Sequence, residues 1–198
     1  MSSIVITPVS ESEDLLVLGP SNPTEFAYED RIFYTPMLTS SRSSWQLQTA
    51  IRLSTVALPD HTSSFNVLCS ISTTDLDAIQ LPARFRDEVL LRFGLIEEVS
   101  NYHFDGVAVV FELEYVDSLS LLPSIEIEIP TVHGTHAQIA KLDPQDYVVE
   151  SDDSNEYRIF FEQRSSQFKL TNRILKNLLI HIDYENQRVG FADPLIEL

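Results

Sequence analysis

Apolar residues in this chain recur in short runs or at every second position, rather than at the spacing of helices. Ile4–Ile6, Leu15–Leu18, Arg31–Thr35, Trp45–Leu53 and Phe65–Cys69 have the character of strands. So do Val107–Tyr115, Ser124–Ile129, Ala137–Lys141, Tyr157–Phe161, Leu178–Ile182 and Arg188–Phe191. In Ser124–Ile129 the residues Ile125, Ile127 and Ile129 fall on one face and Glu126 and Glu128 on the other, which predicts a strand with one wet side. Pro20, Pro23, Pro59, Pro123, Pro130 and Pro144 lie between the runs, where a missing N–H costs no ladder bond. One segment departs from this pattern. Pro82–Phe93 repeats Phe85, Val89 and Phe93 at helical spacing, with proline near its start and Gly94 placed as a terminating C′ residue. A second helical turn is expected at about Asn172–Asn177, and Glu150–Glu156 is expected to be a solvated acidic loop. The predicted class is all-β, mostly antiparallel and strongly curved, with two short helices in a single domain over residues 1–198.

Composition narrows the function classes. A chain of 198 residues with 43% hydrophobic and 22% charged residues can bury one sizeable core. Thirteen basic residues against thirty acidic ones give a formal charge of −17, which repels phosphate backbones and anionic headgroups. Nucleic acid and membrane are therefore not expected as partners, and a basic protein surface is favoured over either. A single cysteine, Cys69, allows no intrachain disulfide. The start of the chain has no basic, then apolar, leader pattern, and no run of 18 apolar residues occurs. Asn22 is followed by Pro23, so it is no glycosylation sequon. Together these features predict an intracellular, cytoplasmic protein rather than a secreted one.

Local motifs, taken in order, add a resemblance. The chain closes on an apolar strand ending at Asp183, a turn containing Asn186, and Gly190-Phe191-Ala192. Upstream stand Leu16–Gly19 before Pro20 and Pro23, then Phe33–Met37 and Trp45–Leu47. They are followed by Leu81-Pro82 opening a helix, Leu122–Glu126, and Leu142–Tyr147. In order and spacing this series resembles the C-terminal lobe of pepsin-like aspartic proteases. The resemblance implies the fold of one such lobe, with the companion lobe missing or on another chain. It also implies an interlobe surface at the chain ends, for which Ile4, Val5, Ile6, Phe191, Leu195 and Ile196 are the candidate interface residues. The low count of five glycines and the lone cysteine depart from the family's loops and its usual disulfide.

The departures bear on chemistry. No Asp-Thr-Gly or Asp-Ser-Gly triplet occurs in the chain. The catalytic slot aligns with Ser70, Ile71, Ser72 and Thr73, so Ser70 stands in place of the aspartate and Ser72 in place of the glycine. In the crossing loop, Thr171 replaces the family's glycine. Acid proteolysis of this kind needs two carboxylates sharing one proton, and serine cannot hold that proton. Asp75 and Asp77 lie nearby without the flanking residues that shape the loop. No catalytic activity is expected. No metal or cofactor is expected either: His133 and His136 have no third ligand beside them in sequence, and no glycine-rich phosphate loop is present. Cys69 is expected to be a buried strand residue, His181 core or sheet edge, and Trp45 a strand residue with its indole N–H bonded. The expected role is protein–protein binding, with a partner protein or with a second copy as a homodimer. The alternatives are one lobe of a two-chain protease, or an inhibitor or decoy built on the protease fold.

Overall fold

In the computed structural model the alternating runs become strands, which among the described residues form three sheets around a main core. Residues 3–10, 13–19, 22–41, 44–54, 60, 62–72, 78–151, 156–162, 167–175 and 178–195 are described. The strands are β1 (Ser3–Ser10), β2 (Glu13–Leu18), β3 (Phe33–Pro36), β4 (Thr39–Ser41), β5 (Ser44–Ser54), β6 (Ser63–Ile71), β7 (Gln80–Leu81) and β8 (Val99–Phe104). They continue as β9 (Ala108–Leu113), β10 (Ser124–Pro130), β11 (His136–Leu142), β12 (Val148–Glu150), β13 (Glu156–Phe161), β14 (Gln167–Leu170), β15 (Leu179–Asp183) and β16 (Arg188–Ala192). Three short helices interrupt them: α1 (Arg86–Phe93), α2 (Pro144–Tyr147) and α3 (Asn172–Leu175). The all-β expectation holds, with three short helices rather than two.

The first sheet has the order β2-β1-β15-β16-β3, and the second β11-β10-β5-β6-β14 with β4 also on β5. In the third, β12-β13-β9-β8 run in order and β7 adds to β13. Pairing is antiparallel except for β6 with β14 and β7 with β13. The strand with one wet side appears as expected: Ile125, Ile127 and Ile129 are buried, while Glu126 and Glu128 approach Arg52 of β5 at 3.5 and 3.3 Å. At β15 the alternation fails for a physical reason. Every residue from Leu179 to Asp183 is buried because the strand lies centrally in its sheet and both faces are covered.

One face of the first sheet, with Ile4, Ile180, Ile182, Val189 and Phe191, joins the main core. The other face forms a smaller cluster of Val5, Ala27, Leu179 and Ala192, with Val17, Phe26 and Ile32 against it. Gly190 has a role on that second face. A Cβ there would come within 2.7 Å of the Tyr34 ring and 2.8 Å of Ile32. Gly94 does not play the expected left-handed part at the end of α1, since its φ is −66°. Its missing side chain instead leaves room for the Tyr102 hydroxyl, which a Cβ would approach to 2.9 Å. Strand β8 was not legible in the sequence, because its residues after Val99 are exposed on both faces and carry no alternation.

Candidate functional site

The two loops that the sequence resemblance pairs are neighbours in the fold. Cys69, Ser70 and Ile71 of β6 lie in parallel register with Phe168, Lys169 and Leu170 of β14, and Ser72 N–H donates to the Leu170 carbonyl at 3.0 Å. Ser70 and Ser72 are half-buried, and Ile71 is buried. Thr171 is buried, and its carbonyl accepts from Ile174 and Leu175 at 3.0 Å each. Thr171 thus starts α3, and threonine is a residue type that helix N-termini favour. Thr73, Asp75 and Asp77 lie outside the described residues.

The cysteine beside this crossing is held as a core residue. The Cys69 Sγ lies 2.8 Å from Thr49 Oγ1, whose hydroxyl also bonds the Val67 carbonyl at 3.2 Å. Burial pushes the thiol up to about 12, so it stays protonated at neutral pH and behaves as a small core residue. Trp45 donates its indole N–H to the Tyr184 hydroxyl at 2.7 Å, tying β5 to the turn after β15. His133 and His136 are exposed around the turn between β10 and β11. Among the described residues, no group of three His, Cys, Asp or Glu side chains could hold a metal ion.

His181 faces the smaller cluster. Tyr34 Oη and His181 Nδ1 are 2.9 Å apart, while His181 Nε2 is buried without a hydrogen-bond partner. Arg188 lies over the Tyr34 ring at 4.0 Å and donates to Asp183 at 2.9 Å. Burial lowers the His181 pKa, with the Asp183 carboxylate opposing that shift. Asp183 itself is pushed up by burial, but bonds from Asn186 and Arg188 bring it below the ordinary carboxylate range.

The interface expected at the chain ends needs correction. Ile4, Val5 and Phe191 are buried, and Ile6 is partly buried against the main core. The reason is topological: β1 pairs with β15 on one side and β2 on the other, so the N-terminal strand is interior to its sheet. In this fold these residues pack inside the first sheet and its core rather than on the surface. Leu195 remains partly exposed, and its N–H bonds the Phe26 carbonyl at 2.7 Å. Ile196 lies outside the described residues.

An exposed apolar stretch lies one strand further out, on β2. Leu15, Leu16 and Leu18 are 39%, 56% and 58% exposed, and no described strand pairs with the far side of β2. The other end of that sheet is partly closed, because the turn between β10 and β11 donates Val132 N–H to the Tyr34 carbonyl of β3. In the second sheet, edge strand β11 presents His136, Gln138 and Lys141 to solvent. The sequence did contain the signal for β2, the run Leu15–Leu18. An apolar run does not reveal whether a strand is central or at an edge.

The chain matches no protein-family model and no curated protein. No helix among the described residues is long and apolar enough to cross a membrane.

Proposed function

We propose that this chain is a non-catalytic lobe of the pepsin-like type that works by binding a protein through the free edge of β2. The observation that carries the reading is that edge, regular along Leu15–Leu18, with three exposed leucines and a flank that no described strand pairs. Such a flank is a template for another strand, and Leu16 and Leu18 put two exposed apolar side chains on one face beside it. The sequence supports the non-catalytic half of the reading, since no Asp-Thr-Gly or Asp-Ser-Gly occurs and Ser70 and Thr171 occupy the two crossing loops. A lone, buried cysteine fits a reducing, intracellular setting.

Two measurements test this. Purified protein between acid and neutral pH leaves denatured globin intact, and pepstatin leaves its melting temperature unchanged. Pepstatin-sensitive cleavage that is lost on Asp75→Asn or Asp77→Asn would overturn the non-catalytic half. For the binding half, protein co-purifying from the native source is lost on Leu16→Lys/Leu18→Lys and kept on Leu91→Lys, which alters an exposed leucine of α1. Equal loss or equal retention in the two variants removes β2 as the contact.

A further inference from the structure

We infer that the strand docking on β2 is β2 of a second copy, antiparallel and centred on Val17; this rests on the reading of the β2 edge as a binding site. The phase of the ladder supplies the first argument. Gly19 N–H donates to the Ser3 carbonyl at 3.1 Å, so Gly19 and Ser3 are a bonded pair. Bonded pairs alternate along an antiparallel ladder, which makes Val17 and Val5 the next. Leu16 and Leu18, opposite Ile6 and Ile4, therefore turn their backbone N–H and C=O groups away from β1.

Two-fold symmetry supplies the second. An axis perpendicular to the sheet keeps each face in register, so residues of the same face must oppose each other. Centring on Val17 sets Leu16 against Leu18 of the second copy, and Leu18 against its Leu16. Both pairs present outward backbone groups to one another, and four leucines meet on one face. Glu13 and Asp14 fall beyond the leucine pairs in sequence, at opposite ends of the overlap. The five-stranded sheet continues across the axis into its copy. A basic partner strand would find no acidic residue between Leu15 and Leu18 to meet it.

The chemistry of the pairing fixes the test. Val17 meets Val17 of the second copy as a non-bonded pair, where Cα atoms lie about 4.5 Å apart, within the range a disulfide spans. Two Leu15 residues lie about four residues apart along the ladder, roughly 13 Å, beyond that range. On mild oxidation Val17→Cys therefore links two chains and Leu15→Cys does not. By size exclusion with light scattering the native chain is a dimer that tightens as salt rises, because each copy carries −17. Leu16→Lys/Leu18→Lys weakens it roughly a hundredfold, as loss of central apolar anchors does, and keeps the native melting temperature. A dimer that links through Leu15→Cys but not Val17→Cys, that loosens with salt, or that ignores the lysines overturns the inference. A monomer at high concentration and high salt also overturns it. If that monomer still loses its co-purifying protein on the lysine substitutions, the β2 edge stands as a binding site with a different occupant. If it does not, both fall.

Discussion

Strands β2 and β8 both end a sheet and both leave side chains in water, yet they present opposite edges. β2 is regular along Leu15–Leu18, with leucines exposed and nothing described across its free flank. β8 is broken by a register shift between Ser100 and His103, where Asn101 takes a φ of 49°. Its exposed aromatics are covered from inside the same chain. Tyr102 meets the Phe93 ring edge-on at 6.1 Å, and Phe104 lies under Arg86 at 4.9 Å. A bulge twists an edge away from incoming strands, and polar residues such as Ser100, Asn101 and His103 discourage their approach. One edge is protected against strand addition and the other is left open, which is why β2 rather than β8 carries the functional proposal.

The largest expected effect breaks the comparison at β2. Leu16→Lys/Leu18→Lys abolishes most association, while Tyr102→Lys/Phe104→Lys on β8 leaves it intact; sedimentation of the two variants side by side decides. Next in size is the sheet that holds β2 in place. Gly190→Ala forces a Cβ against Tyr34 and Ile32 and costs about 1–3 kcal/mol, as overpacking does. In a chain of this length that lowers the melting temperature by several degrees, roughly 2–4 °C per kcal/mol. Equal melting temperatures for Gly190→Ala and the native chain would show that the sheet can yield there.

A smaller effect sharpens the account of β8. Asn101→Val puts a β-branched residue at a left-handed φ and removes the bond from Asn101 Nδ2 to Glu112 at 2.7 Å. It costs about 1–2 kcal/mol more than Asn101→Gly, by denaturant midpoint. If Asn101→Val matches Asn101→Gly, the bulge is not held by this conformation.

The smallest effect is on pH dependence. Burial lowers the His181 pKa below its ordinary 6.5, so below that pH the unfolded chain binds a proton that the folded one refuses. Stability therefore falls as pH drops from about 6.5 toward the lowered folded value, and His181→Gln flattens that part of the profile. Asp183 acts in a separate window. Its lowered carboxyl contributes stability above 3.8 that is lost as pH falls further. A His181→Gln profile identical to the native one as pH falls from about 6.5 would place that titration elsewhere.

The all-β class, eleven of the strands through period-two alternation or apolar runs, and the helix carrying Phe85, Val89 and Phe93 were legible along the chain. Each depends on residues near one another in the chain, so each is legible locally. The absence of any Asp-Thr-Gly or Asp-Ser-Gly triplet is likewise read directly from the chain. Only the tertiary structure decided that Ile4, Val5 and Phe191 are core and that Leu16 and Leu18 are surface. Both groups are apolar runs of the same character, and burial depends on which strand pairs with which. β1 is enclosed by β15 and β2, while among the described strands β2 pairs with β1 alone. The bulge in β8 was hidden for the same reason: its twist comes from pairing with β9, and no residue spacing within Val99–Phe104 records it.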